Sequence, residues 1–288
     1  MQICKTASAL QEALSACAGP ISLVPTMGAL HQGHISLVEI AKKHSSTVVM
    51  SIFVNPTQFN DPSDLDSYPR TFEEDLEKAR AARVDFIFYP DVSEIYPEGR
   101  DVSIKAGSFS ESYEGEHRPG HFDGVVTVVN LLLRAVKPDV AVFGEKDFQQ
   151  LKVISQMVES LGLDVEIIPA PLLRDGDGLA LSSRNVNLSP NEREHAVLIS
   201  KALFTARNLA ISGERDTEAL LKSSRDILSQ SDKVEVEYLE VIDESTFSSI
   251  PLINDSARMI VAAVVGKVRL IDNISLKNGE EEKEINIL

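Results

Sequence analysis

The chain has 288 residues, of which 43% are hydrophobic and 25% charged, an ordinary globular composition long enough for one large or two ordinary domains. A formal charge of −16 argues against nucleic acid as the partner, because phosphate backbones select basic surfaces. The longest apolar runs, such as 259–265, are too short to span a bilayer, and residues 1–5 lack the layout of a secretory signal, so no membrane partner and a cytoplasmic location are expected. Cys4 and Cys17 read as unpaired thiols, since no wider disulfide framework exists and neither sits in a zinc-ligand cluster.

Through the first 173 residues, apolar β-branched runs alternate with helical periodicity. They predict strands over 21–26, 47–54, 84–89, 140–143 and 165–172, separated by helices over 35–44, 72–83, 124–136 and 148–161. Continuous apolar strands separated by helices mean a parallel sheet covered on both faces, the doubly wound, Rossmann-like α/β class. Ligands in that class bind beyond the carboxyl ends of the strands, near the switch point in strand order. A polar, glycine-bearing stretch, Arg174-Asp175-Gly176-Asp177-Gly178, reads as a flexible link and divides the chain into domains 1–174 and 175–288. Beyond it, Ser189-Pro190-Asn191-Glu192 reads as a helix start, with a serine N-cap, proline at the first helical position and glutamate closing a capping box. Helical pattern runs to about 228. Strand-like runs follow at 234–242, 258–265 and 267–271, with Gly266 placed to turn the last two back on each other. The second unit is expected to be a small α+β domain, and the charged tail at 277–284 to be frayed.

The chemically loaded residues follow the ends of the predicted strands. After the first comes Pro25-Thr26-Met27-Gly28-Ala29-Leu30-His31-Gln32-Gly33-His34. A strand that turns sharply into a helix there aims backbone N–H groups and both imidazoles at whatever lies over the helix N-terminus, a phosphate-shaped environment. A metal site is the rival reading, weakened by the lack of a third ligand nearby. After the second strand, Asn55 and Gln58 offer donors and acceptors suited to a small polar substrate, or simply form an Asx turn. Tyr68-Pro69-Arg70 reads as a further loop anchor. The glycine-rich stretch 115–124 carries Arg118 and His121 and is either a flap over the site or a solvated connector. After the fourth strand, Gly144-Glu145-Lys146-Asp147 would place a point charge for a triphosphate at Lys146, against the blander reading of a solvated face. Much later, Leu181-Ser182-Ser183-Arg184 supplies hydroxyls and a guanidinium. Lys146, Arg118, Arg174 and Arg184 all fall inside these segments, as expected if the few cations cluster around an anion.

Paired, the first and last segments resemble the two signatures of the adenylate-forming nucleotidyltransferases, the His-x-Gly-His motif and a Ser-Ser-Arg variant of the Lys-Met-Ser-Lys-Ser loop. With Ser51-Ile52-Phe53-Val54-Asn55-Pro56, Gln58-Phe59, Tyr68-Pro69-Arg70, Arg118-Pro119-Gly120-His121-Phe122, Gly144 through Gln150, Asp177-Gly178-Leu179-Ala180 and Arg269-Leu270-Ile271-Asp272-Asn273, nearly the whole chain resembles the pantoate–β-alanine ligase (pantothenate synthetase) family. The resemblance implies that (R)-pantoate and ATP give a pantoyl adenylate, which the β-alanine amine then attacks. It implies nucleotide contacts at Met27, Gly28, Ala29, Leu30, His31, Gln32, Gly33 and His34, at Gly144, Glu145, Lys146 and Asp147, and at Leu173, Leu181, Ser182, Ser183 and Arg184. The catalytic donors would be His31, His34, Lys146, Ser182, Ser183 and Arg184. Pantoate or β-alanine would meet Gln58 and Gln150, and Asn55, Arg118 and His121 are expected to bind substrate as well. Mg²⁺ with the triphosphate, ligands unspecified, and a homodimer are implied as well. Two other classes stay open: a nucleotidyltransferase acting on a phosphorylated alcohol, which needs further cations near the neutral Asn55/Gln58 segment, and a nucleotide-binding regulator without turnover.

Overall fold

The computed structural model describes residues 1–60, 62–97 and 104–277. Most of the tail expected to fray lies outside these residues. The chain divides into two compact units, Met1–Ala170 and Pro171–Leu288, four residues ahead of the division expected from composition.

The first unit is a six-stranded parallel sheet flanked by helices. Its strands are β1 (Gln2–Cys4), β2 (Ile21–Thr26), β3 (Thr47–Ile52), β4 (Phe86–Phe88), β5 (Val140–Gly144) and β6 (Glu166–Ala170), in the order β1-β4-β3-β2-β5-β6. All six residues of β3 are buried, as a continuous apolar run in a sheet covered on both faces requires. β1 escapes the sequence reading because three residues carry no measurable period. It is placed by pairing with β4 from Gln2↔Phe86 to Cys4↔Phe88. The predicted strands overrun the ladder at several ends, because Phe53 and Val84 are apolar through burial in the core and not through strand pairing. The helices Gln32–His44 and His121–Val136 both begin three residues earlier than their apolar periodicity suggests.

In the second unit, the continuous helical pattern breaks into two helices, Pro190–Ile211 and Thr217–Leu228. Gly213 at φ +107° ends the first, and the Asp216 side chain caps the second by accepting the Glu218 N–H. The Ser189/Glu192 capping box forms as expected. Strands β7 (Val234–Asp243), β8 (Ala257–Val265) and β9 (Val268–Ser275) make an antiparallel meander. Gly266, at φ +63°, opens the two-residue loop between Val265 and Val268, the position where a tight hairpin asks for positive φ. β9 continues four residues beyond its predicted end, because Asp272 and Asn273 mask the pattern while Arg258↔Ser275 still pair.

The stretch expected to be a flexible link is a tied-down turn. Arg174 and Ala180 pair as a bridge, Gly178 turns at φ +91°, and Arg193 donates to Asp175 at 2.6 Å and to Asp177 at 2.8 Å. Arg174 does not join the cations expected to cluster around an anion either. It is 1% exposed, forks onto Asp272 at 2.6 and 3.0 Å, and lies 4.9 Å from the Phe204 ring centroid. A guanidinium buried to that degree needs such a bidentate partner.

Candidate active site

Strand order in the first unit reverses between β2 and β5. Their carboxyl ends are Thr26 and Gly144, so the two-histidine turn and the Glu-Lys-Asp segment both leave the sheet at its switch point, where open α/β sheets bind ligands.

The turn after β2 is held by the protein itself. Thr26 Oγ1 donates to Ser51 O at 2.7 Å and accepts the Gly28 N–H at 3.2 Å. Gly28 (φ +84°) and Ala29 (φ +49°) both take left-handed backbone, which glycine tolerates and alanine resists by about 1 kcal/mol. The buried Asp75 carboxylate accepts the N–H groups of Ala29 at 2.9 Å and Leu30 at 2.7 Å, and Lys78 Nζ donates to Leu30 O at 2.8 Å. Sequence reasoning passes over both residues. Their signal is two charges three apart in the helix Phe72–Ala81, alongside the buried Leu76 and Ala79.

His31 caps the helix Gln32–His44 through its ring, with Nδ1 accepting the Gly33 N–H at 3.1 Å. His34 Nδ1 accepts the His31 N–H at 3.2 Å, which closes a capping box made of two imidazoles. Backbone N–H groups only donate, so both Nδ1 atoms are unprotonated and each neutral ring carries its proton on Nε2. The ring centroids are 4.1 Å apart. Burial holds the His34 pKa well below the usual imidazole range; a proton added to His31 would push the same way, as do the charges of Lys146 and Lys78. Lys146 and His34 are therefore electrostatic neighbours across the switch point.

This geometry narrows the expectation that main-chain N–H groups face a ligand. The amides of Gly28, Ala29, Leu30, His31, Gly33 and His34 all have acceptors within the chain. None of these bonds engages the main-chain N–H groups of Met27 and Gln32, so the turn can offer an anion those two amides as well as its side chains, the imidazole Nε2–H groups among them. Leu30 is 2% exposed and belongs to the core, whereas Met27 is half-buried and Gln32 exposed.

Asn55 is buried and saturated. Its Nδ2 donates to Gln58 Oε1 at 3.0 Å and to Gly124 O at 3.1 Å, while Oδ1 accepts from Thr57 Oγ1 at 3.0 Å and from the Tyr96 hydroxyl at 2.7 Å. Burial keeps that phenol above its ordinary pKa, so it stays a donor. Asn55 therefore shapes the turn Pro56–Gln58, with no hydrogen-bonding capacity left over for a substrate. Gln58 is buried, with its amide nitrogen 3.4 Å from Met27 Sδ, which brings the second loop against the first. Gly124 lets the helix His121–Val136 touch this turn, since a Cβ there would lie 2.8 Å from Gln58 N.

Arg118 and His121 belong to the same network. Gln58 O accepts from His121 Nδ1 at 2.8 Å, so the proton is on Nδ1, and His121 Nε2 then accepts from Arg118 Nη1 at 3.1 Å. Burial and the Arg118 charge bring the His121 pKa down to about 4. Arg118 also reaches Gln58 O at 3.4 Å and the buried Glu114 carboxylate at 3.8 Å. The buried Gln149, which sequence reasoning misses, accepts the Glu114 N–H at 3.0 Å and donates to Phe109 O and Ser112 O at 2.8 Å each. The flap-or-connector segment is thus tied down at both ends in this structure. Tyr68 is buried edge-on to Phe59, as its anchor reading expects. Gly144, Glu145, Lys146, Asp147 and Gln150 are all half-buried, with Lys146 Nζ 3.5 Å from Asp147 Oδ1.

In the second unit, the Leu181 N–H donates to Leu173 O at 3.0 Å, so the hairpin that pairs them leads directly into Ser182-Ser183-Arg184. Ser182 caps the turn Ser183–Asn187, its Oγ accepting the Arg184 N–H at 3.3 Å, and Asn185 Nδ2 donates to Ala180 O at 2.9 Å. Leu173 is buried, while Leu181, Ser182, Ser183 and Arg184 are half-buried. Among the described residues, no group of three or more His, Cys, Asp or Glu could hold a metal ion, and no helix is long and apolar enough to cross a membrane.

A family model described as pantoate-beta-alanine ligase matches residues 2–275. The chain belongs to that family. It is 45% identical over 265 residues to pantothenate synthetase from Chlorobium chlorochromatii, covering 91% of each chain. A crystal structure of pantoate-beta-alanine (pantothenate synthetase) from Thermus thermophilus superposes with a TM-score of 0.93 at 41% identity, over 96% of this chain and all of that one. Pantoate-beta-alanine ligase from Francisella tularensis, solved with beta-gamma ATP and beta-alanine, is similar at a TM-score of 0.79 and 35% identity, over 97% and 99%. A fold and a motif set shared over that length make this chain an ATP-dependent ligase of the pantoate–β-alanine class.

Proposed function

We propose that the ligation runs in two steps through a pantoyl adenylate. First, a carboxylate oxygen of (R)-pantoate bonds to the α-phosphorus of ATP, and the bond from that phosphorus to the bridging oxygen breaks to release pyrophosphate. Then the β-alanine nitrogen bonds to the acyl carbon, the acyl–phosphate C–O bond breaks, AMP leaves and the amine loses a proton. The observation that carries this reading is the pair of imidazoles at the sheet's switch point whose Nδ1 atoms both accept main-chain N–H groups, which leaves each ring its proton on Nε2. The first step moves negative charge onto pyrophosphate and the α-phosphoryl oxygens, and a preorganised donor there is worth roughly 10²–10³ in rate.

His31, His34, Lys146, Ser182, Ser183 and Arg184 are assigned to that stabilisation. Met27, Gly28, Ala29, Gln32, Gly33, Gly144, Glu145 and Asp147 are assigned to nucleotide contact, as are Leu173, Leu181, Ser182, Ser183 and Arg184. Gln58 and Gln150 are assigned to pantoate. Asn55 and the Arg118–His121 pair act one step back, fixing Gln58. The second step is mostly proximity, with the adenylate shielded while the amine is held in line. ATP is taken as its Mg²⁺ complex, the ion riding on the phosphate oxygens. The working assembly is a homodimer in the cytoplasm, checked by light scattering and cell fractionation.

ATP–pyrophosphate exchange with Mg²⁺ and (R)-pantoate, β-alanine omitted, tests the reading. Exchange that requires pantoate and Mg²⁺ supports it; none, in protein that binds ATP, sinks it. His34→Ala should lower exchange by about 10²-fold or more, with far-UV circular dichroism unchanged.

A further inference from the structure

We propose that Asp75 and Lys78 are positioning residues for adenylation, a clamp that aims the two imidazoles at the phosphate. This rests on the adenylate reading above. Gly28 and Ala29 are successive left-handed residues, a conformation that alanine resists and that exposes neighbouring amides to an anion. Asp75 occupies the amides of Ala29 and Leu30, one carboxylate oxygen for each. Thr71 Oγ1 donates to Asp75 Oδ1 at 3.2 Å and steadies the carboxylate. One helical turn on, Lys78 donates to the carbonyl of the same Leu30.

The next residue is His31, whose N–H is the donor to His34 Nδ1. Leu30 C=O and His31 N–H belong to one peptide, so the clamp that holds it sets the His34 ring and tautomer directly, while the Gly33 N–H sets those of His31, the residue that follows the clamp. A buried carboxylate behind the turn also keeps phosphate off the Ala29 and Leu30 amides, leaving the Nε2–H groups to receive it. Both clamp residues lie on the helix Phe72–Ala81, whose Leu76 and Ala79 are anchored in the core, so the clamp is backed by a rigid element.

The experiment compares two half-reactions in Asp75→Asn, Lys78→Met and Lys78→Arg. One is pantoate-dependent ATP–pyrophosphate exchange; the other is pantothenate formation from chemically prepared pantoyl adenylate and β-alanine. Asp75→Asn and Lys78→Met should lose roughly 10²-fold in exchange kcat, the scale of a 1 Å misplacement. Both should use supplied adenylate at the wild-type rate, and Lys78→Arg should recover most of the exchange. Parallel loss in both half-reactions would mean that the pair merely supports the fold, and unchanged exchange would mean that it does nothing for the chemistry; either result overturns the proposal. If Asp75→Asn fails to fold, the two Lys78 variants decide alone. Wild-type protein without exchange would instead refute the adenylate reading, and the clamp's role with it.

Discussion

Gly124→Ala adds one methyl group and should cost this enzyme most of its catalytic efficiency toward pantoate. The new Cβ would lie against Thr57 O, 2.6 Å from Thr57 C and 2.8 Å from Gln58 N, all of them backbone atoms that no rotamer change can remove. Ordinary contact begins at 3.4 Å and Thr57 O is the nearest of the three atoms, so the turn Pro56–Gln58 must retreat by about 1 Å. Alanine stabilises the helix His121–Val136 by about 1 kcal/mol over glycine, while overpacking costs about 1–3 kcal/mol. The net change is a loss of up to about 2 kcal/mol, well short of unfolding a domain of this size. Activity should suffer more. Asn55 bonds both Gly124 O and Gln58, so the retreat carries the Gln58 amide with it, and a displacement near 1 Å is worth about 10²-fold in kcat/KM. Pantoate titrations of pyrophosphate exchange, beside thermal unfolding, measure the two effects separately. A folded Gly124→Ala protein with wild-type kcat/KM for pantoate would refute the claim that this close approach positions Gln58.

Arg174→Met strands the buried Asp272 carboxylate and should destabilise the protein by about 3–5 kcal/mol in urea unfolding, with Arg174→Met/Asp272→Asn less damaging than the single change. His121 has its pKa depressed to about 4 in the fold against 6.5 in the unfolded chain, so on acidification the unfolded state takes the proton first. Stability should therefore fall as pH drops from about 6.5 to about 4, by roughly 3 kcal/mol for this group, and His121→Gln should flatten that slope in a Tm-versus-pH series.

The doubly wound sheet was legible because its central strands are apolar over their whole length, and burial on both faces leaves that record in any sequence. The Ser189/Glu192 helix start and the Gly266 hairpin were legible for a similar reason: capping and positive φ are local demands met by local residue types. The candidate site was legible as a set of segments, since polar residues after apolar strands mark carboxyl ends. Their roles were not. Asn55 reads as a substrate contact until the structure shows every donor and acceptor engaged, and Arg174 reads as a free cation until Asp272, 98 residues later, is seen to fork with it. Asp75 and Lys78 were passed over because their one local mark, two charges beside the buried Leu76 and Ala79, does not say which distant main chain they bind.

Residue types and spacing alone determined that this chain folds as a parallel α/β unit followed by a small α+β unit, with two histidines after its first long strand. Only the tertiary structure decided which groups of that turn can meet a ligand. Hydrogen bonding is exclusive: an amide held by Asp75 or by an imidazole Nδ1 is withdrawn from solution, and that assignment depends on contacts across 45 residues or more as well as on neighbours in the chain.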